Sequence, residues 1–152
     1  MAYLELKSPP VLTLLISIGL VFLLRHLQLG PALPAWTLML APVLLCGGVL
    51  VALGGIWQFG RAQTTVDPTH PDKASQLVCA GIYQYTRNPM YVGMALVLSA
   101  GVLKSGLLLS VLSLPLFVWY MTRFQIKPEE QALEGIFAEE FIQYKQKVRR
   151  WL

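Results

Sequence analysis

Residues able to do chemistry fall in two places in this chain. The first is Gly81-Ile82-Tyr83-Gln84-Tyr85-Thr86-Arg87-Asn88-Pro89-Met90-Tyr91. The second begins at Pro128 with Glu129-Glu130-Gln131-Ala132-Leu133-Glu134, then Phe137-Ala138-Glu139-Glu140-Phe141 and Tyr144. Arg87 offers a planar guanidinium that can fork a carboxylate or pair with an acid. Glu129 and Glu130 can hold an amine, pair with an arginine or accept a proton. His70, between Thr69 and Pro71, is another candidate base. Each feature also has a bland reading. Asn88 can be the N-cap of a helix and Pro89 its first residue. Arg87 can anchor that helix at lipid headgroups, with Tyr83, Tyr85 and Tyr91 as an aromatic belt. Glu129 and Glu130 suit the first turn of a helix, where they favour its dipole. A loop histidine is most often simply exposed.

The elements that must position these residues are set by composition. The chain has 152 residues, 55% hydrophobic and 13% charged, with a mean hydropathy of +0.57. Soluble domains carry about 25% charged residues, so the deficit points to a membrane protein. One compact unit fits this length. The two cysteines, Cys46 and Cys79, lie in an apolar run and a polar loop, so neither a disulfide nor a CxxC metal site is expected. The net charge is +4 without clustered Lys, Arg and aromatic residues, so nucleic-acid binding is not expected.

Four apolar stretches stand out: Pro10–Leu24, Trp36–Phe59, Pro89–Leu103 and Gly106–Met121. A spanning helix needs about 20 apolar residues. The second stretch qualifies outright, and the first does so if its flanks contribute. The third is short and is expected to pair with the fourth as a helical hairpin turning at Lys104-Ser105-Gly106. Pro115 predicts a kink in the fourth. A signal peptide in the first stretch is the lesser reading, because no Ala-x-Ala site follows. With four spans, both termini and the Gly60–Asn88 loop share one side. That side carries ten Lys and Arg residues against two, Arg25 and Lys104, on the other. Such a bias makes the shared side cytoplasmic, and all eight carboxylates lie there too.

Gly60–Asn88 is the long polar connection, broken by Pro68, Pro71 and Gly81. Loops of this length in compact proteins are usually functional or disordered. Beyond Pro128, Leu133, Ile136, Phe137, Phe141, Tyr144 and Val148 fall on one face of a helix. Lys145, Lys147, Arg149 and Arg150 load its C-terminal end. An amphipathic helix lying on an anionic membrane surface accounts for both features. It leaves unexplained the paired carboxylates beside a membrane helix.

The two motifs together resemble the isoprenylcysteine carboxyl methyltransferases and their phospholipid N-methyltransferase relatives. That pattern is Gly-x-Tyr, then Arg-His/Asn-Pro-x-Tyr, then Glu-Glu-x-x-Leu after a helical hairpin, then Phe-Gly-x-x-Tyr-x-x-Tyr. This chain supplies Gly81, Tyr83, Arg87, Asn88, Pro89, Tyr91, Glu129, Glu130, Leu133, Phe137 and Tyr144 in order. The resemblance covers about residues 60–150; the first two helices match as generic spans. Ala138 stands where the family usually has Gly, a change expected to matter little. Phe141 replaces a Tyr, so no polar role is carried to it.

The resemblance implies an all-α integral membrane bundle of about four transmembrane helices plus a C-terminal amphipathic helix. One domain over 1–152 is expected, with a hairpin of two spans at 1–60 and a cofactor-binding catalytic core at 61–152. It implies S-adenosylmethionine as methyl donor and a lipophilic, isoprenylcysteine-like acceptor entering from the bilayer at the cytoplasmic face. Arg87 and Glu130 are the expected catalytic residues. His70, Gly81, Tyr83, Asn88, Pro89, Tyr91, Glu129 and Tyr144 are expected to bind the cofactor. No Gly-rich turn follows a strand, so a Rossmann-type site is not expected. Gly47-Gly48 and Gly54-Gly55 read as close-packing residues in a membrane helix. An amine acceptor would need a base, which Glu130 or His70 could supply. A phospholipid or other small-amphiphile N-methyltransferase is the runner-up, and a sterol reductase, a small transporter and a non-catalytic membrane scaffold are the further competing readings. The transporter is disfavoured because no carboxylate lies within an apolar span.

Overall fold

The structure, a computed structural model, describes residues 8–62 and 76–152. The described chain is helical, with one isolated β-bridge as its sole extended pairing. Helix α1 spans Pro10–His26 and α2 Ala41–Arg61, the latter entered through a tight helical turn at Ala35–Leu40. Helix α3 runs Pro89–Ser105 and α4 Ser113–Met121, after a second tight turn at Leu108–Leu112. A π-helical turn, Thr122–Ile126, leads into α5 at Lys127–Lys147. Together Ala35–Arg61 make one 27-residue helix long and apolar enough to cross a membrane by length and composition alone. Helices α1 and α3 are shorter, at 17 residues each, or about 25 Å of rise.

Packing is built around α3. Val21 of α1, Leu98 and Val102 of α3, Phe117 and Met121 of α4, and Ile126 of the π-turn form the main core. Helix α2 meets α3 backbone to backbone. A Cβ built on Gly93 would stand 2.5 Å from the Gly48 carbonyl oxygen and 2.8 Å from Ala52, so only hydrogen fits there. Gly55 in turn lies under Pro89 and Met90. The expected packing role thus holds for Gly48 and Gly55. Gly47 touches nothing within 4 Å of a built Cβ, and Gly54 meets only Ile82 at 3.8 Å. The outer faces of α1 and α2 stay apolar and open, with Leu15, Ile16, Val43 and Leu50 all exposed. An apolar belt of this extent suits lipid rather than water.

At the end remote from the motifs, the two short connections pair with each other. Leu33 N–H donates to the Gly106 carbonyl at 2.7 Å and Leu108 N–H to that of Pro31 at 2.9 Å, around the Ala32–Leu107 bridge. These bonds satisfy backbone groups that would be costly to bury unpaired.

Two expectations change here. Pro115 does not kink a long helix: α4 begins at Ser113, so Pro115 sits in its first turn, where no intrahelical partner for its nitrogen is needed. The tail is not one straight amphipathic helix either. Ala138, at φ 39° and ψ −113°, breaks α5 in two. Phe141, Tyr144 and Val148 then turn inward with Leu77, Cys79, Leu133 and Phe137, while Ile136 stays exposed.

Candidate active site

Side chains of α5 meet the 81–91 segment at three points, two from its first turn and one, Tyr144, from beyond the break at Ala138. The Tyr144 hydroxyl donates to the Tyr83 carbonyl at 2.7 Å. The Arg87 Nη2 lies 3.0 Å from Glu130 Oε1. The Tyr91 hydroxyl donates to Glu129 Oε1 at 2.5 Å. Residues that the sequence places in two separate motifs therefore form one site at the shared end of α2, α3 and α5.

Local structure explains how each residue is aimed. Gly81 adopts φ +61°, a conformation that favours glycine, to open the tight turn Gly81–Gln84 over Gln58 of α2. That turn buries Tyr83 and leaves Tyr85 76% exposed, so the tyrosines form no common belt. Asn88 is the N-cap residue of α3 and Pro89 its first, as the sequence implies. The Asn88 side chain does not cap; its Nδ2 donates to the Arg150 carbonyl at 2.8 Å. The π-turn before α5 adds one residue per turn locally, a device common at functional sites. Within it, Gln125 is buried, and its Nε2 donates to Glu129 Oε1 at 2.9 Å.

The electrostatics centre on Arg87 and the two glutamates. Burial lowers the Arg87 pKa, while Glu130 pulls it back up. Its side chain is 10% exposed, and Nε and Nη1 are buried with no hydrogen-bond partner among the described residues. Glu130 is shared with a second arginine: Arg150 donates through Nε at 3.0 Å and Nη2 at 2.6 Å. That bonding raises the Arg150 pKa. Burial pushes the Glu129 carboxyl up to about 7, against the hydrogen bonds from Tyr91 and Gln125. Burial likewise raises the Tyr83 and Tyr144 hydroxyls.

A cavity of about 480 Å³ opens at the end of α2, lined by Gln58, Arg61, Ala62 and residues 76–80. Leu77 and Cys79 in its wall also pack on Phe141 and Tyr144, so cavity and docked tail share a boundary.

Nine of the ten residues singled out by the sequence lie in this region; His70 falls outside the described residues. Gly81 and Tyr144 serve the docking itself. Gln125 and Arg150 were not anticipated. Arg150 reads in sequence as part of a basic helix end, and its role depends on a chain reversal that charge patterning does not reveal. Gln125 lies on no motif, and only the π-turn brings it to Glu129.

Comparison with known proteins gives this geometry a class, the helical membrane methyltransferases. The family model described as phospholipid methyltransferase matches residues 36–140, well over half the chain, and the protein belongs to that family. A protein-S-isoprenylcysteine O-methyltransferase of Schizosaccharomyces pombe is 30% identical over 104 residues, covering 68% of this chain and 44% of the yeast enzyme. The chain thus spans less than half the length of that relative. An uncharacterized protein of Haemophilus influenzae is 44% identical over 63 residues, 41% of this chain and all of that protein. No solved structure gives a significant match.

Proposed function

We propose that this protein is an S-adenosylmethionine-dependent methyltransferase of the membrane. It methylates a carboxylate on an isoprenylcysteine-like or other lipophilic acceptor at the cytoplasmic face. The observation that carries the reading is Arg87: a buried guanidinium with two donor nitrogens unpaired among the described residues. Leaving buried donors unpaired is unfavourable, and a carboxylate is their natural complement. The similarity to the yeast carboxyl methyltransferase supports the acceptor class.

The residues fit the cofactor. Arg87 suits a carboxylate, and Glu129 suits an ammonium group, which would hold its carboxyl ionised against burial. The cavity walled by Leu77, Val78 and Cys79 has the size of a small-molecule site and borders the docked tail, although Arg87 and Glu129 lie outside its lining. When bound, S-adenosylmethionine supplies an electrophilic methyl group on a sulfonium. A carboxylate acceptor is already nucleophilic at neutral pH and needs no base from the protein. It needs orientation and exclusion of water. Arg87 supplies the cation, and alignment of this kind contributes ~7–11 kcal/mol to such reactions.

A second reading has its own support. An amine acceptor, as on a phospholipid headgroup, requires a base poised near neutrality. Glu130 is engaged by two arginines, whereas Glu129, at about 7, has the right proton affinity. Glu129 rather than Glu130 is the base in that case. Calorimetry with S-adenosylhomocysteine on detergent-purified protein tests both readings. Binding in the micromolar range is expected. Binding of NADPH in its place would move the chain to the reductase branch, and binding of neither would leave a scaffold.

A further inference from the structure

We propose that Arg150 is a positioning residue, which by occupying Glu130 keeps Arg87 free to take a ligand carboxylate. The inference rests on the methyltransferase reading above. It begins from the way residues 148–151 attach to the motif. Arg87 N–H donates to the Arg149 carbonyl at 3.0 Å. The Arg150 carbonyl accepts from Asn88 Nδ2 at 2.8 Å and from Thr86 Oγ1 at 3.3 Å. Trp151 packs on the main core, and its Nε1 donates to Thr122 Oγ1 at 3.0 Å. The segment is thus latched to both sides of the site. A basic tail serving only the membrane surface would leave both arginines in solvent. Arg149 is exposed, but Arg150 turns inward and is 34% exposed.

The geometry of the three charges gives the function. Glu130, 12% exposed, has two oxygens, and Arg150 reaches both through the Nε–Nη2 fork. Arg87 is left with a single contact through Nη2. Two guanidiniums around one carboxylate leave one positive charge over, beside the unpaired Nε and Nη1 of Arg87. Without Arg150, Glu130 would be free to take Arg87 in a two-point pair. The excess charge would vanish, and the donors would be occupied inside the protein. Arg150 therefore acts by competing for Glu130. Lysine is a poor substitute, because a point ammonium on a flexible stem does not reproduce the planar two-point fork.

The test is ligand selectivity rather than turnover. Affinity for S-adenosylhomocysteine is compared with that for its decarboxylated analogue, and affinity for N-acetyl-S-farnesylcysteine with that for its methyl ester. Wild type is expected to prefer the carboxylate in at least one pair, and the pair that responds identifies its source. Arg150→Lys is expected to cut that preference tenfold or more, and to do so far less in a Glu130→Gln background. An undiminished preference in Arg150→Lys, or an equal loss with and without Glu130→Gln, would overturn the inference. Wild type that binds neither pair would instead bring down the methyltransferase reading beneath it.

Discussion

Lys145 Nζ lies 2.6 Å from Glu134 Oε2, although the two residues are 11 apart in one helical segment. On a straight helix they would be separated by ~16 Å. The contact is possible because the chain reverses at Ala138, at φ 39°. A positive φ with ψ −113° lies outside every region an L-residue with a side chain readily adopts and costs on the order of 1–3 kcal/mol, and glycine is spared that strain. The family's usual glycine at this position is therefore a geometric requirement, and the exchange to alanine is costly, contrary to expectation from size alone. Ala138→Gly is expected to stabilise the protein by about 1 kcal/mol, read as a rise in melting temperature in detergent. A fall would mean that the reversal is not the native conformation.

Gly93 gives a test of the α2–α3 contact. Gly93→Ala drives a methyl group into the Gly48 carbonyl and Ala52, both backbone-anchored. Overpacking of this kind costs about 1–3 kcal/mol or more. Gly47→Ala, at a position open to 4 Å, is expected to be neutral or slightly stabilising, since alanine is the better helix former. Equal melting temperatures for the two variants would contradict the packing described.

Much of this arrangement is legible in the sequence because it is local. Asn88-Pro89 starts α3 and the apolar runs mark α1 to α4, while the pairing of Arg87 with Glu130 is one of several roles that the two motifs leave open. What is not legible depends on contacts across the fold. Gly47 and Gly48 are equivalent in composition, and only the rotation of α2 against α3 selects Gly48. The apolar spacing after Pro128 fits one helical face, yet a single backbone angle at Ala138 folds that face in half. Arg150 belongs by charge to the helix end and by position to the site.

The ten-to-two distribution of Lys and Arg makes the topology testable. Four spans with both termini in the cytoplasm are expected. Reporter fusions at each end check this, since alkaline phosphatase is active only outside and a fluorescent protein only inside. An external C-terminus would put Glu130 and Arg150 on the wrong side from the cytoplasmic methyl donor.

Glu129 makes stability depend on pH. Its folded pKa of about 7 lies above the ordinary 4.5. Between those values the folded protein holds a proton that the unfolded chain has lost. Stability therefore falls as pH rises from about 4.5 to about 7 and levels off above. A tenfold change in proton affinity corresponds to about 1.4 kcal/mol, so the loss is on the order of 3 kcal/mol. Glu129→Gln should flatten this part of the profile. The same group separates the two acceptor classes. Methylation that rises through pH 7 with the cofactor saturating marks an amine acceptor, for which Glu129 is the base. A rate indifferent to pH in that range marks a carboxylate.

Arg87 and Glu130 decide whether the site is catalytic. Arg87→Lys keeps a positive charge beside Glu130, so melting temperature should change little. It removes the planar fork, so methylation of a farnesylcysteine analogue should fall nearly as far as in Arg87→Ala. Glu130→Gln leaves Arg87 and Arg150 facing each other without the carboxylate that separates them. It is therefore expected to be the more destabilising change, and to lower turnover by one to several powers of ten, each about 1.4 kcal/mol, with ligand binding at Arg87 retained. A helix-dipole role for Glu130 would contribute only ~0.3–1 kcal/mol, to folding and not to activity. Arg87→Lys is the decisive variant, because it parts the two explanations most cleanly. A stable, inactive protein makes Arg87 a ligand-binding group. A stable, fully active one reduces it to an ion-pair partner of Glu130, and activity that falls only in step with melting temperature makes it a structural support.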